Sequence, residues 1–294
     1  MEIEKECKIC GNTMFDHFME VNDYFLTNEK FNLVKCKNCE LVFVNPRPSH
    51  HDIAKYYNSP NYISHSGTNK GIINWVYTKI RNYTHQKKLK LVSAFSSGKT
   101  ILDIGCGSGE LLFLFKKNNW DTLGVEPNDN ARTFSQKQYQ LNVLKEEEID
   151  QIGSHSKDVI SMWHVLEHVH DLNKRLIEIK RILKNNGVVF IAVPNMESFD
   201  ATSYNAFWAA YDVPRHLYHF TPATMRKLLE KHHFLIHDII PMKFDSFYVS
   251  MLSEKYKTGK NKLLKAFITG MRSNMKANNK NHAYSSLIYV VKNS

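Results

Sequence analysis

From residue 100 onward the chain alternates short apolar runs with amphipathic stretches. Runs at 100–104, 121–125, 141–144, 158–163 and 187–193 read as strands, and stretches at 109–118, 129–138 and 172–184 carry apolar residues at helical spacing. This alternation predicts a parallel sheet covered by helices, with its ligand at the carboxyl ends of the strands where the strand order switches. Upstream, "INWVYTKIRNYTHQKKLKLVSAF" at about 73–95 predicts a helix packed on that domain, and "ELVFVNPRPS" predicts a strand with a proline-rich exit. Residues 51–70, polar and tyrosine-rich, read as a linker or a substrate-side lid. The chain divides accordingly into residues 1–48, a linker with N-terminal helices at 49–97, and an α/β domain at 98–294.

A length of 294 residues with 43% hydrophobic content suffices for one substantial core and a small appendage. The amino terminus has no apolar signal segment, and no apolar run approaches the roughly 18 residues of a membrane span, so a cytoplasmic setting is expected. The net charge of +10 is concentrated in residues 255–294, which hold nine basic residues and no acidic one, leaving the rest nearly neutral. Such a block could draw nucleic acid, an anionic substrate or a membrane surface, or form a solvated basic face. No aromatic or arginine-rich pattern for base stacking runs through it.

Four of the five cysteines form two C-x2-C pairs, Cys7 with Cys10 and Cys36 with Cys39. Each tight turn points two thiolates at one ion and two turns complete a tetrahedral set, which predicts a structural zinc ribbon over 1–48. Four protein ligands leave no open position for a catalytic water, so the metal is expected to fold the module. A cytosolic setting disfavours disulfides, and a redox C-x-x-C would not come in duplicate.

Between the strand at 100–104 and its helix lies Asp103-Ile-Gly105-Cys106-Gly107-Ser-Gly109-Glu110. Glycines there let backbone approach a ligand. A dinucleotide site wants a small residue where Glu110 stands, and a glutamate would repel a pyrophosphate. The string resembles the S-adenosylmethionine motif of class I methyltransferases. The resemblance implies that Asp103 holds the methionine amino group and that Gly105, Cys106, Gly107 and Gly109 lie against the ligand. Glu126, 21 residues beyond Gly105 in "LGVEPN", can accept hydrogen bonds from both ribose hydroxyls, with Pro127 beside it. "KDVISMWHVLEHVHD" at 157–171 resembles the family's fourth-strand segment, which would set Trp163 and His164 beside the cofactor; His168 reads as a packing or capping residue. The adenine-binding acid should follow the third strand, at Glu146, Glu147 or Glu148.

The resemblance covers about 98–241. It implies a Rossmann-like doubly wound, seven-stranded sheet whose last strand, at 285–291, is antiparallel, after a sixth strand around 235–242. Between these two lies an insertion at 246–284 with a helix in "NKLLKAFITGMRSNM" and the basic block; its apolar face could cover the substrate cleft or form a dimer contact.

Methyl transfer needs an acceptor held in line with the methyl–sulfur bond, plus a base if the acceptor is a hydroxyl. "FWAAYDVPRHLYHFTPATM" at 207–225 offers His216 as base, Asp212 as its orienting partner, His219 as a second histidine and Arg215 for an anionic group. The same segment could equally be a packed approach to a helix at Pro222, capped by Thr221. A two-knuckle zinc module before a class I domain resembles bacterial sugar-modifying methyltransferases, implying O- or C-methylation of a sugar, a glycan or a nucleotide-linked sugar. A quinone-type metabolite comes second and RNA third; a non-catalytic cofactor-binding module and a nicotinamide dehydrogenase are readings of other classes.

Overall fold

The computed structural model describes residues 1–57, 72–279 and 283–294. The later part of the expected linker or lid, from residue 58, and Lys280 of the basic block lie outside the described residues.

The N-terminal hairpin consists of β1 (Phe15–Asn22) and β2 (Lys30–Cys36), followed by β3 (Val42–Val44). Helix α1 (Ile72–Phe95) leads to the alternating region: β4 (Thr100–Ile104), α2 (Glu110–Lys117), β5 (Asp121–Val125), α3 (Asp129–Tyr139) and β6 (Val143–Leu144). Then come β7 (Lys157–Trp163), α4 (Leu172–Ile182), β8 (Leu183–Pro194), α5 (Phe199–Tyr204) and the short β9 (Tyr218–His219). The chain closes with α6 (Pro222–Lys231), β10 (Phe234–Pro241), α7 (Asp245–Thr258), α8 (Leu263–Asn279) and β11 (Ser286–Asn293).

The large sheet has seven strands in the order β10-β11-β8-β7-β4-β5-β6. β4 runs parallel to β5 and β7, and β11 is antiparallel to both neighbours. This is the Rossmann-like sheet expected from the sequence. From β4 the chain winds one way through β5 and β6 and then the other way from β7, so a crevice opens at the carboxyl ends of β4 and β7.

The two-residue period of the strands sorts their side chains into two cores. Leu102, Ile104, Ile160, Met162, Val189 and Ile191 lie in one, while Ile101, Val159, Val188 and Phe190 lie in the other. Helix α4 buries Leu172, Leu176, Ile179 and Ile182 against the first, and α2 buries Leu111, Leu112 and Phe115 against the second. Helix α6 begins as its sequence predicts, with Pro222 in the first turn and the Thr221 hydroxyl accepting the Thr224 N–H at 3.1 Å.

The ribbon is built with help from the far end of the chain. β9 pairs with β3, setting Val42 opposite His219 and Phe43 opposite Tyr218, and completes a four-stranded sheet of order β1-β2-β3-β9. Ribbon residues Cys7, Ile9, Cys36, Leu41 and Phe43 join the same core as Ile160 and Leu228. Two buried arginines pin the joint. Arg47 donates to the Tyr218 hydroxyl at 2.8 Å and pairs with Glu2 and Glu4. Arg215 donates to Asp23 at 2.8 Å, to both oxygens of Asp212 and to the Tyr56 carbonyl.

The insertion holds two helices where the sequence suggests one. The buried face of α7 is Ser246, Val249, Ser250, Ser253 and Glu254, so it carries almost no apolar period. β6 is also shorter than the expected 141–144.

Candidate active site

The crevice at the ends of β4, β5 and β7 collects the predicted cofactor residues. Gly105, Gly107 and Gly109 have φ of +71°, +56° and +79°, the left-handed region. At Gly105 a Cβ would stand 2.5 Å from a Val165 methyl, so the loop passes too close to the next strand's end for any side chain. A Cβ at Gly107 would meet nothing within 4 Å, and that position faces open space fit for a ligand. Cys106 turns the other way, its sulfur packed toward Gly124 of β5, so the loop offers backbone to the crevice there.

Two carboxyl groups flank this loop. Glu126 accepts the Gly107 N–H at 2.7 Å and the Asn128 N–H at 2.9 Å, which fixes both oxygens while burial pushes its carboxyl upward. The carbonyls of Glu126 and Pro127 accept from Arg132. Asp103 is buried and accepts from the Ser161 hydroxyl at 2.6 Å. Burial pushes its carboxyl to about 6, against the pull of Ser161 and the Lys88 ammonium. A cation placed beside Asp103 would relieve that penalty, and a cationic amino acid tail meets the requirement. The unfilled space at Gly107, held between two buried acids, fits S-adenosylmethionine.

Two α1 residues that the sequence reading did not single out also reach the crevice. Lys88 lies 4.2 Å over the Trp163 ring, and burial lowers its ammonium to about 8. Arg81 pairs with Glu110 at 3.1 Å. That pairing weakens the argument that Glu110 repels a pyrophosphate by charge; its bulk at the small-residue position still disfavours a dinucleotide. Of the adenine candidates, Glu146 pairs with Arg175 and Glu148 accepts the Lys145 N–H, whereas Glu147 has neither engagement.

On the acceptor side the structure gathers histidines around one buried carboxylate, Glu167. Neither Glu167 oxygen has a hydrogen-bond partner among the described residues. It lies 3.4 Å from His164 Nδ1 and 4.0 Å from His216 Nε2. Burial opposes its charge, but the three histidines around it, His164, His216 and His168, hold the carboxyl below its ordinary range. His164, at φ +59°, also meets Asp245 at 3.1 Å. Burial disfavours its charge too, yet the two carboxylates outweigh it and raise the imidazole to about 9.

His216 has its Nδ1 at 2.8 Å from the Ala210 carbonyl oxygen, an acceptor only. Nδ1 therefore carries the proton in the neutral ring, which leaves Nε2 bare and facing Glu167 and Asp212. His168 packs edge-on against His216 at 4.6 Å, and burial keeps it neutral, lowered to about 4. Asp212 is drawn mainly to Arg215, whose full burial between Asp212 and Asp23 removes it from any role in meeting an anionic acceptor. His219 is buried on β9, lowered by burial to about 3, with Nε2 unpartnered among the described residues. The structure thus brings His216 and Asp212 together and adds Glu167, while His219 stands behind them.

Among the described residues, two side-chain sets could hold a metal. The ligand atoms of Glu167, His168 and His216 lie within 4.8 Å of one another, as do the four sulfurs of Cys7, Cys10, Cys36 and Cys39. The cysteines sit on twin knuckles: the Gly11 N–H returns to the Cys7 carbonyl at 2.9 Å and the Glu40 N–H to the Cys36 carbonyl at 3.0 Å. Their closest Sγ pairs are 3.4 and 3.5 Å apart, near the roughly 3.8 Å edge of a tetrahedral zinc–thiolate set.

Residues 77–238 match the family described as "Methyltransferase domain". The ubiquinone biosynthesis O-methyltransferase of Actinobacillus pleuropneumoniae serotype 7 (strain AP76) is 31% identical over 109 residues, 33% of this chain and 47% of that protein. The protein of the same name from Vibrio parahaemolyticus serotype O3:K6 is 26% identical over 179 residues, 56% of this chain and 73% of that one. The chain spans about half the length of the first of these relatives. The crystal structure of magnesium protoporphyrin IX methyltransferase from Synechocystis PCC 6803, with bound S-adenosylhomocysteine, superposes with a TM-score of 0.55 at 12% identity, covering 84% of this chain and 100% of that one. The two share a fold.

The raised imidazole of His164 carries a stability prediction. A histidine whose folded-state value exceeds its ordinary one stabilises fully below about pH 6.5 and loses that contribution as pH rises through about 9. Urea unfolding of wild type against His164→Gln is expected to show a stability advantage that shrinks across this window; a difference constant with pH would contradict the pairing.

Proposed function

Because the chain belongs to the methyltransferase domain family, we propose that it methylates a hydroxyl of a small-molecule acceptor using S-adenosylmethionine. The observation that carries this reading is the pair of buried acids, Asp103 and Glu126, set about a glycine loop whose Gly107 N–H orients one of them. S-adenosylmethionine supplies an electrophilic methyl group when bound. Asp103 would hold its ammonium and Glu126 its ribose hydroxyls, with the loop backbone along its length and Trp163 at the end of β7 beside it.

His216 is the proposed base. Its bare Nε2 takes the acceptor hydroxyl proton, and the Glu167 carboxylate stabilises the imidazolium that forms. Glu167 acts through His216 and is a positioning residue. The fixed tautomer matters, because the other tautomer would present an N–H instead of a lone pair at Nε2.

The sequence led first to a sugar or glycan acceptor. The relatives named as ubiquinone O-methyltransferases favour the small-metabolite alternative. We read the four-cysteine set as a structural zinc site that folds the ribbon against β9, where it braces the segment carrying His216.

Incubation with methyl-labelled S-adenosylmethionine and fractionated cell pools is expected to label the small-molecule pool. His216→Ala should lower that turnover at least about 100-fold with S-adenosylhomocysteine affinity unchanged. Labelling confined to RNA or glycan would overturn the acceptor assignment, and near-normal turnover would remove His216 from the chemistry. Non-denaturing mass spectrometry is expected to show one zinc on the wild-type chain and none on Cys10→Ser/Cys39→Ser; a metal-free wild type would overturn the zinc reading.

A further inference from the structure

Helix α8 has three faces instead of two. Ala266, Gly270, Ser273 and Ala277 are buried against the body of the protein. The approach is close, since a Cβ at Gly270 would stand 3.0 Å from the backbone of Phe247. A second face exposes Leu263, Leu264, Phe267, Met271 and Met275, with Leu264 75% and Met275 63% accessible. The third presents Arg272, with Lys265 drawn to the buried Glu254 at 3.0 Å and Lys276 3.9 Å over the Phe199 ring, and exposed Lys260 and Lys262 precede the helix.

The apolar face does not end at α8. Phe267 stacks on Phe247 of α7 at 5.3 Å, and exposed Phe244 meets exposed Tyr83 of α1 edge-on at 5.8 Å. A hollow of about 260 Å³ adjoins it, lined by Phe247, Met271, Met275 and Tyr284 together with the polar Lys243, Asn274 and Asn278. Contiguous exposed apolar side chains of this kind mark interaction surfaces.

We propose that this face docks the protein on an anionic lipid surface, the apolar side chains entering the interfacial layer and the lysines and Arg272 meeting the headgroups. Charge decides among the occupants. Lys265 is already paired with Glu254, but Lys243, Lys260, Lys262 and Arg272 border this face, so a second copy docked face to face would set like charges together, whereas an anionic bilayer complements them. Nucleic acid would meet leucines and methionines where base stacking wants aromatic rings or guanidinium planes. The inference is independent of methyl transfer, although Phe244 precedes Asp245, the residue that touches His164, so the docked face adjoins the crevice.

The test is co-sedimentation of the full-length protein with vesicles of phosphatidylcholine alone or with about 30 mol% phosphatidylglycerol. At least about tenfold stronger partitioning to the anionic vesicles is expected, weakened by salt and lost in Leu264→Glu/Phe267→Glu. Both substituted positions are exposed, and unchanged S-adenosylhomocysteine binding by the variant would confirm its fold. Equal or no binding to the two vesicle types would overturn the proposal. So would a concentration-dependent dimer abolished by the same substitutions with vesicles left unbound, which would make this face a contact between copies.

Discussion

A guanidinium removed from water must be met by carboxylates, and Arg215 is met by Asp212, three residues away, and by Asp23 of the N-terminal hairpin loop. Asp23 is itself fully buried and accepts the N–H groups of Phe25, Leu26 and Thr27, so it organises the hairpin loop as well as the ion pair. Everything on the acceptor side depends on this joint. It sets the ribbon against residues 212–219, allows β9 to pair with β3, and places His216 between the joint and β9.

The histidine cluster follows from how the remaining buried charge is arranged. Glu167 has no donor of its own and is surrounded by imidazoles, so its charge persists only because His164 and His216 share the site. Among the histidines, environments diverge: two carboxylates raise His164, burial with the nearby His216 keeps His168 and His219 neutral, and the Ala210 carbonyl fixes the tautomer of His216. On the cofactor side Asp103 and Glu126 are both penalised by burial, a cost that the charges and hydroxyls of a bound ligand would offset.

What the sequence made legible was local. Asp103, the three glycines and Glu126 fall within one strand-turn-helix-strand unit, where spacing alone dictates the geometry, and the strands around them alternate regularly enough to announce the sheet. The cysteine knuckles were legible for the same reason. Illegible were the pairs made across long stretches of chain: Arg215 with Asp23, Lys88 above Trp163, Asp245 beside His164. Glu167 lies in the segment that resembles the family's fourth strand, yet nothing in the sequence marks it, because only the fold brings His216 within reach of it. Helix α7 escaped since its buried positions are mostly serines, which carry no hydrophobic period.

The central claim is that the acid-flanked glycine loop was built for a sulfonium nucleoside carrying an amino acid tail. Calorimetric titration of the purified chain with S-adenosylhomocysteine and, separately, with NADH tests it most directly. The account predicts saturable one-to-one binding of S-adenosylhomocysteine with Kd on the order of micromolar, weakened at least about tenfold by Asp103→Asn, and no comparable binding of NADH. Tight binding of NADH with no binding of S-adenosylhomocysteine would contradict it.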